Sequence, residues 1–541
     1  MQFKLKLIAA VAALGLMQGC SEDFLDRPPL DALTSGNFYK TDDEIMAGTA
    51  PLYNIVWFDF NDKANMSFQE ARAGNLNSND RTAYIKHAIP STDVNTLLPG
   101  YKSFYKIIAQ SNNAYKAIKE ATGSTASAAV KGQGLGECRF MRATAYYYLV
   151  TNWGAVPIVY DNVAQINEPP TRNNIEDIWK LLIQDYRFAA ANLPTTAVQG
   201  RLTKYSAEGM LARMYLMRAG LNQNGTRKQS DLDSAKYYAE SVITKSGLTL
   251  APTYAELFES ANHNATKNNP ESLFSLQWMP ISNPWGINNS FQAYFAYDAN
   301  ITGTGDGWGA AQGVSADLVK YFTENPADSL RRKSIGMFDS DVYPNIRKAN
   351  GGLKYTRPEQ LSAIKKYIIG SPADNGGLGG FMSANINSYM LRLAEVYLIY
   401  SDAVLGNSAS TSDAKALEYF NAVRKRAGMP AKTSLTFEDI FKERRIETVF
   451  EGNSWNEIVR WYYFAPAKAV AYTAAQHKEN YTMSYLTGST NPKRYNVAYS
   501  ASEFYPVTAN TLYLPFPEAE IINAPSLKNE PVAFDFSKLK D

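Results

Sequence analysis

Apolar residues recur at helical spacing in two neighbouring segments near the middle of the chain. The first stripe contains Ala207, Met210, Leu211, Met214 and Tyr215, and the second contains Leu232, Ala235, Ala239, Val242 and Ile243. Spacings of three and four residues place such side chains on one face of an α-helix. The polar run N-Q-N-G at 222–225 separates the stripes and is typical of a turn. The pattern predicts two helices that pack as a hairpin.

A second pair of stripes with the same design lies far downstream. Its first helix face carries Leu393, Val396, Tyr397, Tyr400 and Val404, and its second carries Ala416, Phe420 and Val423. The letters A-R-M-Y-L-M at 212–217 parallel A-E-V-Y-L-I at 394–399. This design resembles the tetratricopeptide repeat, in which small residues let two helices approach closely, although the loops exceed its unit of roughly 34 residues. Further helices are predicted at 137–152 and 174–192, where apolar residues again share one face.

Residues 251–388 break the helical pattern. Pro, Gly, Asn and aromatic residues crowd together, as in G-D-G-W-G at 305–309 and D-N-G-G-L-G-G at 374–380. Loops this long inside a compact protein are usually functional or disordered, and the aromatic content argues against disorder. Two short apolar runs, at 273–278 and 511–514, predict strands.

The first 20 residues carry the pattern of an export signal. Lys4 and Lys6 precede an apolar run at 7–17, which ends at Gly19 and Cys20. A basic start, an apolar stretch of about a dozen residues and a small residue at the cut are typical of a secretory signal peptide. The run is much shorter than the roughly 20 apolar residues of a membrane-spanning helix. We predict a signal peptide at 1–19 and lipidation of Cys20, as in bacterial lipoproteins; the alternative is an ordinary secreted protein with a chance cysteine.

Charge and cysteine content narrow the classes of function. The 54 basic and 52 acidic residues give a net charge of +2, which provides no field for capturing nucleic acid. If Cys20 is acylated, Cys138 has no partner, so we expect no disulfide and a small core residue at 138. Aromatic residues make up 13% of the chain, and Tyr and Trp suit both helix packing and wet binding surfaces.

Five blocks of sequence, taken in their order along the chain, match the pattern of a known protein family. They read C-S-E-D-F-L-D-R-P-P-L-D at 20–31, E-C-R-F-M-R-A-T-A-Y-Y-Y-L-V-T-N-W-G-A-V-P-I-V at 137–159, Y-M-L-R-L-A-E-V-Y-L-I-Y-S-D-A at 389–403, E-R-R-I-E-T-V-F-E-G-N-S-W-N-E-I-V-R-W at 443–461 and L-Y-L-P-F-P-E-A-E-I-I-N-A-P-S-L-K-N-E-P at 512–531. Together they resemble the SusD/RagB family of Bacteroidetes surface lipoproteins. The S-E-D triplet at 21–23 also resembles the tag that moves such lipoproteins to the outer face of the outer membrane.

The resemblance implies an all-α fold in which about four tetratricopeptide-like helix pairs carry an irregular, loop-rich half. It implies one body over 20–541, with an N-terminal part at 20–250 and a part with the ligand loops at 251–541. It also implies a non-enzymatic protein without a cofactor, anchored to the outer membrane through Cys20. Such a protein binds an oligosaccharide, or a peptide in the RagB-like branch, and delivers it to a SusC-like TonB-dependent transporter.

Two segments combine aromatic and polar side chains in the mixture that a sugar site needs. Sugar rings have apolar C–H faces and hydroxyl edges, so a site wants aromatic platforms and hydrogen-bonding groups. The family's ligand face corresponds to these segments only by approximate position, because they carry no motif. We expect Trp57, Trp285 and Trp308 to be exposed platforms; the alternative is core packing under a long loop, or an ordinary turn at 79–81. The candidate residues are Trp57, Asn79, Asp80, Arg81 and Tyr84 in the first segment, and Trp285, Asn288, Tyr294, Tyr297 and Trp308 in the second.

The charged residues of the blocks have a structural interpretation. In a scaffold of closely packed helices, such residues more often bridge neighbouring helices or cap loops than contact ligand. A buried pair fixes the packing register, although it need not add net stability. We therefore predict bridges between helices for Arg139, Arg142, Arg392, Glu395, Glu443, Arg444 and Arg445.

Three other functions stay open at this point: a peptide-binding lid, a scaffold that binds only its transporter, and a glycoside hydrolase, which needs just two carboxylates in space. The histidines, His87, His263 and His477, lack metal-ligand spacing, and no hydrolase or nucleotide motif occurs. The Asp-, Asn- and Gly-rich loops could hold calcium, although none has the spacing of an EF-hand.

Overall fold

The computed structural model describes residues 38–263, 269–357, 361–488 and 494–539. The predicted signal peptide, Cys20 and the block at 20–31 lie outside these residues. The described part is mostly helical, which confirms the all-α prediction. Its α-helices are α1 (Asp42–Thr49), α2 (Thr82–Ile85), α3 (Leu97–Glu120), α4 (Ala128–Trp153), α5 (Ile175–Asn192), α6 (Lys204–Arg218), α7 (Gln229–Lys245), α8 (Phe291–Phe295), α9 (Ala299–Thr302), α10 (Ala316–Glu324), α11 (Ser329–Ile335), α12 (Leu393–Leu405), α13 (Ala414–Arg426), α14 (Phe437–Thr448), α15 (Ser454–Phe464), α16 (Pro466–Ala474) and α17 (Glu518–Asn523).

Strands are short and form two-stranded antiparallel sheets that pair β1 with β3, β2 with β8, β4 with β7, β5 with β6 and β9 with β10. Their bounds are β1 (Leu76–Ser78), β2 (Ser272–Leu276), β3 (Gln312–Val314), β4 (Gly336–Met337), β5 (Val342–Tyr343), β6 (Leu353–Lys354), β7 (Ala363–Ile364), β8 (Ser388–Arg392), β9 (Tyr481–Tyr485) and β10 (Tyr495–Tyr499). The strand predicted at 273–278 is confirmed as β2.

The strand predicted at 511–514 is wrong. The Leu514 N–H donates to the carbonyl oxygen of Asn152 at the end of α4, over 2.7 Å. The carbonyl oxygen of Leu512 accepts from Nη2 of the buried Arg72, also over 2.7 Å. Because these backbone groups find partners on a helix end and a side chain, the apolar segment lies against the core without a neighbouring strand.

Helices that follow one another in the chain pack side by side. This holds from α3 through α7, and α12 continues the row by packing against both α7 and α13. The two predicted hairpins are therefore α6–α7 and α12–α13, and they are neighbours in space. Ala207, Ala212, Ala235 and Ala416 on these helices are fully buried, which lets the helix axes approach closely.

Buried ion pairs bridge the helices at most of the predicted positions. Arg392 is the exception, because it lies on β8 and joins this strand to α14 and to the loop carboxylates of Glu271 and Glu451. Arg142 of α4 donates to Oδ2 of Asp185 on α5 over 2.7 Å, and Arg139 donates to Oδ1 of the same carboxylate over 2.8 Å. These bonds confirm the structural interpretation of the charged motif residues. The other pairs are Arg392 with Glu271, Glu447 and Glu451, Glu395 with Arg213 and Arg444, Glu443 with Arg331 and Arg424, and Arg445 with Asp317.

The pairing of β1 with β3 brings two distant parts of the chain together. Ser78 lies opposite Gln312 in this register. The polar run that follows β1, at 79–81, therefore lies beside the segment that leads from Trp308 into β3. The two segments nominated from sequence meet at this sheet.

Candidate functional site

Three aromatic side chains on loops of the irregular half are about half exposed. The exposed fractions are 50% for Trp285, 47% for Trp308 and 48% for Phe381. The rings of Trp308 and Phe381 meet edge to face with 5.9 Å between centroids. The Trp285 ring packs edge to face on the buried Phe58 at 5.0 Å, so one part of it is held while the rest faces solvent. We refer to Trp285, Trp308 and Phe381 as the aromatic surface.

The backbone of Met382 joins the three loops that carry the aromatic surface. Its N–H donates to Oδ2 of Asp306 over 2.6 Å, which ties it to the loop of Trp308. Its carbonyl oxygen accepts from Nδ2 of Asn288 over 2.7 Å, which ties it to the loop of Trp285. Because Phe381 directly precedes Met382, the loops that carry all three rings are connected through the backbone of this one residue. We refer to these two hydrogen bonds as the Met382 junction.

The loop around Trp308 is fixed by backbone hydrogen bonds at Trp308 and at the residue after it. The Trp308 N–H donates to the carbonyl oxygen of Ala293 over 2.7 Å, and the Gly309 N–H donates to that of Ala296 over 2.8 Å. A Cβ at Gly309 would lie 2.3 Å from the Phe295 carbonyl oxygen, and Gly307 has a φ of +129°. Only glycine allows the backbone to approach this closely. The glycines of the sequence G-D-G-W-G therefore let the Trp308 loop pack directly against the backbone of the preceding segment, which fixes the position of the ring.

Apolar side chains extend the aromatic surface. Met279, Ile281 and Leu378 lie on the same loops and are 39–47% exposed. Ile55 is also exposed and lies beside Gly286, next to Trp285. Exposed large apolar residues that occur together mark interaction sites more often than isolated ones do.

A polar group borders Trp308. Nη1 of Arg81 donates to Oε1 of Gln312 over 2.7 Å, and Nε2 of Gln312 donates to the Tyr294 carbonyl oxygen over 3.3 Å. The Tyr294 ring lies 5.9 Å from that of Trp308. Asn79 and Asp80 are exposed beside Arg81. The predicted residues Asn79, Asp80, Arg81, Tyr294 and Trp308 are thus brought together by β1 and β3.

Burial sets the charge states of this polar group. Desolvation lowers the pKa of Arg81, although the neighbouring Asp80 opposes the shift. Desolvation raises the pKa of Asp62, which accepts hydrogen bonds from Ser290 and Tyr294. Burial, reinforced by the Asp62 charge, also raises the pKa of the Tyr294 hydroxyl, so this hydroxyl stays neutral at ordinary pH. The group therefore offers a guanidinium and exposed amide and carboxylate oxygens beside an aromatic ring.

Three predicted site residues are buried instead. Trp57 is fully buried: its Nε1 donates to the Leu52 carbonyl oxygen over 3.0 Å, and its ring contacts Phe60, Phe104 and Tyr148. The expected exposure of Trp57 is therefore wrong, because a helical turn directs the ring into the core.

Tyr84 and Asn288 serve the structure as well. Tyr84 is buried, and its hydroxyl donates to Oδ2 of Asp93 over 2.6 Å. Asn288 is fully buried at the Met382 junction. Tyr297 is half-buried, with its ring edge to face on Tyr355 at 5.1 Å.

Sequence reasoning missed Phe381. A signal was present, because Phe381 directly follows the glycine-rich run at 376–380, in which a large apolar residue has little local structure to cover it. Trp285 and Trp308 were nominated on that same ground, and both are exposed.

The histidines lie apart from the aromatic surface. Burial lowers the pKa of His263 to about 4, and burial together with the Lys478 charge lowers that of His87. Within the ranges the structure describes, no group of three or more His, Cys, Asp or Glu side chains has the arrangement of a metal site. Across the same ranges, no helix has both the length and the hydropathy that crossing a bilayer requires.

Comparison with known proteins identifies the family of this chain. Residues 297–532 match the SusD family profile, and residues 23–216 match a profile described as starch-binding, associating with the outer membrane. A SusD-like protein of Bacteroides ovatus is 34% identical over 99% of both chains. The chain belongs to the SusD family.

Other SusD-family proteins show the same relationship at different distances. The starch-binding protein SusD of Bacteroides thetaiotaomicron is 24% identical over 61% of this chain and 65% of its own. A crystal structure with xylogluco-oligosaccharide matches with a TM-score of 0.81 and 33% identity, covering 91% of this chain and 99% of that one. These matches confirm the family resemblance carried by the five sequence blocks.

Proposed function

We propose that this SusD-family chain binds an oligosaccharide on the aromatic surface of Trp285, Trp308 and Phe381. The observation that carries the proposal is the Met382 junction, which holds half-exposed rings from three loops in place. Aromatic faces complement the apolar C–H faces of sugar rings. Rings that are fixed before binding lose little freedom when ligand arrives, so less affinity is sacrificed to ordering. The relative at 33% identity whose crystal structure was obtained with xylogluco-oligosaccharide supports a carbohydrate ligand.

The polar group beside Trp308 supplies the second half of such a site. Arg81, Asn79 and Asp80 present donors and acceptors at the edge of the ring. A sugar stacked on Trp308 carries its hydroxyl groups around its rim, where these side chains would meet them. We expect the platforms to provide most of the affinity and this polar edge to select the sugar.

We propose a binding protein and not a hydrolase. A glycoside hydrolase needs two carboxyl groups free to flank the scissile bond. Both oxygens of Asp306 accept hydrogen bonds, from Met382 and from Thr304, and Asp62 is engaged by Ser290 and Tyr294. The two buried acids Asp62 and Asp306 thus hold the loops together. Sustained release of reducing ends from glycans by the purified protein would contradict this part of the proposal.

We further propose that lipid on Cys20 anchors the chain at the cell surface and that the chain delivers its cargo to a SusC-like TonB-dependent transporter. The export signal at 1–19, the S-E-D triplet and the outer-membrane description of the matching profile support this role. Co-purification of a transporter with the tagged chain from outer membranes tests it. A chain that is recovered only alone, with uptake unaffected by its deletion, would count against the role.

Isothermal titration tests carbohydrate binding directly. Xylogluco-oligosaccharides and malto-oligosaccharides are titrated into the mature chain and into Trp285→Ala and Trp308→Ala variants. We expect each variant to lose about tenfold or more in affinity, as aromatic anchors of binding sites do. Tyr237→Ala is the matched control, because Tyr237 is an exposed aromatic residue on α7, in the helical row. Unchanged affinity in the Trp285→Ala/Trp308→Ala double variant would refute the site.

A peptide is the second candidate ligand. The exposed side chains of Met279, Ile281 and Leu378 would accept apolar peptide side chains as well as sugar faces. The same titration with mixed peptides separates the two, since saturable peptide binding without glycan binding would favour the RagB-like role.

A further inference from the structure

A second concave site lies behind the loop that carries Phe381. It is a cavity of about 610 Å³, a volume typical of small-molecule sites. Leu378 and Asp374 form one wall, three and seven residues before Phe381, and β5 with the segment after it forms another. The cavity therefore shares a loop with the aromatic surface. Leu378, which extends that surface, also lines the cavity, whereas Trp285, Trp308 and Phe381 do not.

The lining of the cavity carries an excess of positive charge. Three lysines, Lys333, Lys348 and Lys365, face two carboxylates, Glu259 and Asp374. Lysine ammonium groups attract anions as compact point charges, with three donors each. Lys365 is half-buried, so its charge acts in a medium that screens it less than water does.

The Asp374 carboxylate is already occupied. Its Oδ1 accepts from the Lys348 N–H over 2.8 Å, and its Oδ2 accepts from the N–H groups of Arg347 and Ser371 over 3.0 and 2.9 Å. Burial alone would raise the pKa of Asp374, but these backbone donors outweigh it and lower the pKa. Asp374 thus forms part of the cavity wall, and its negative charge is compensated by backbone N–H groups.

The lysines, in contrast, keep donor capacity. Nζ of Lys365 donates to the Ile368 carbonyl oxygen over 2.7 Å, and Nζ of Lys348 donates to the Asp374 carbonyl oxygen over 2.5 Å. Among the described residues these are the hydrogen bonds that the two ammonium groups make, so each retains N–H groups for a ligand. Lys333 is exposed at the same cavity.

Apolar side chains accompany this charge. Val342 and Leu378 line the cavity and are 52% and 39% exposed. The Lys365 ammonium lies over the ring of Tyr343 on β5, 5.8 Å from its centroid. An inorganic anion has no apolar surface to pack against these side chains. A sugar ring that bears a carboxylate can pack its C–H face on the apolar wall and pair its carboxylate with the lysines.

We propose that this cavity binds an acidic sugar residue, a uronate, whose carboxylate pairs with Lys333, Lys348 and Lys365. The proposal rests on the proposed function, because the uronate would belong to the glycan held on the aromatic surface or to a branch of it. Leu378 of the cavity and Phe381 of the aromatic surface lie three residues apart on one loop, so the same segment of chain positions both sites. The cavity would then make the chain selective for glycans that carry acid groups.

Saturation-transfer NMR with sodium D-glucuronate, D-glucose and sodium sulfate tests the proposal on the mature chain. We expect glucuronate to bind at least about tenfold more tightly than glucose, and sulfate to compete only weakly. The Lys333→Met/Lys348→Met double variant keeps the side-chain stems and should weaken glucuronate binding about tenfold or more. Lys354→Met is the matched control, because Lys354 is exposed on β6 and does not line the cavity.

Three outcomes would overturn the proposal: glucuronate affinity unchanged in the double variant, equal binding of glucose, or full displacement of glucuronate by equimolar sulfate. Thermal unfolding of each variant verifies that it folds, and Lys333→Met alone, at an exposed position, serves if the double variant does not. Failure of the proposed function is a separate result. Neutral xylogluco-oligosaccharide reports on the aromatic surface, whereas monomeric glucuronate reports on the cavity.

Discussion

The N–H of Met382 donates to Oδ2 of Asp306 over 2.6 Å, and this single bond couples the loop of Trp308 to the loop of Phe381. Asp306 is buried and lies one residue before Gly307, whose positive φ favours glycine. Two rings that face solvent are therefore positioned by a carboxylate that does not. The distance between Trp308 and Phe381 depends on a residue that no ligand needs to touch.

Replacement of Asp306 should weaken ligand binding indirectly. Asp306→Ala removes a charge-assisted acceptor, so we expect the free energy of unfolding to fall by about 1–3 kcal/mol. Oligosaccharide affinity should fall as well, because the loops of Trp308 and Phe381 lose their link. Thr304→Val is the control, since it deletes the other bond to Asp306 and leaves that to Met382. Titration calorimetry and urea unfolding measure both effects, and an Asp306→Ala variant with native affinity would contradict the positioning role.

Trp57 and Trp285 should respond in opposite ways to the same substitution. Trp57→Ala empties a fully buried site and should lower the free energy of unfolding by about 3–5 kcal/mol. Trp285→Ala removes a half-exposed ring and should change stability far less while reducing glycan affinity. Denaturant unfolding and calorimetry on both variants give the comparison. Equal losses of stability would mean that Trp285 is a structural residue.

Removal of Arg392 should destabilise the fold strongly. Its guanidinium pairs with Glu271, Glu447 and Glu451 in the interior. Arg392→Met removes the one cation that all three carboxylates share, although Arg426 still pairs with Glu271 and Glu447 and Lys366 still pairs with Glu451. Breaking buried pairs in this way costs up to about 3–5 kcal/mol. Lys415→Met breaks the exposed pair with Glu240 and should leave the unfolding midpoint unchanged. Chemical denaturation decides, and similar midpoints for both variants would show that the buried network is not stabilised by Arg392.

Stability should fall in acid because of the same kind of pairs. Burial alone would raise the pKa of Glu395, but Arg213 and Arg444 outweigh it and hold the pKa below its ordinary 4.5. Arg460 and Arg227 likewise outweigh burial at Asp402 and lower its pKa below 3.8. The folded state thus binds these protons less tightly than the unfolded chain does. Their stabilisation is present above about pH 4.5 and is lost as pH falls through the folded-state pKa values.

Thermal unfolding measured between about pH 3 and pH 7 tests this loss of stability in acid. We expect the unfolding temperature to decline below about pH 4.5. In Glu395→Gln the protein should be less stable at neutral pH and show a shallower acid decline. A wild-type profile that is flat down to about pH 3 would be the contrary result.

Loss of the proposed lipid attachment at Cys20 should release the chain from the membrane. Cys20→Ala removes the thiol that acylation needs, so we expect the protein in the soluble fraction and a loss of glycan uptake by cells. Cys138→Ala is the control, because Cys138 is buried in α4 and accessible to no acyltransferase. Cell fractionation and growth on the glycan report the two effects. Uptake that survives Cys20→Ala would refute a role for the tether.

Much of the helical part could be predicted because its signals are local. The four apolar stripes have helical spacing, and each coincides with one of the helices α6, α7, α12 and α13. The pairing of α7 with α12 could not be predicted, because it depends on the contacts between helices that lie far apart in the chain. The bridging role of Arg142 followed from the general cost of burying an unpaired charge.

The site was predictable only where the chain itself leaves a ring uncovered. Trp308 stands between glycines, and Trp285 follows Pro284, so both were expected to face solvent. Trp57 lies between the apolar residues Val56 and Phe58, and the surrounding turn packs its ring on Phe104 and Tyr148. Which way a ring turns in such a segment is decided by partners that are distant in sequence.

The glycines around the aromatic surface also constrain how this protein can diversify. Positions 307 and 309 have no room for a side chain, and a Cβ at Gly380 would lie 2.5 Å from the Ser282 hydroxyl oxygen. Gly376 and Gly377 face open space, but their positive φ favours glycine. Natural variation among close homologues, and libraries for directed evolution, should therefore find new ligand preferences at the exposed Leu378 and Phe381 side chains while the glycines of both loops are retained.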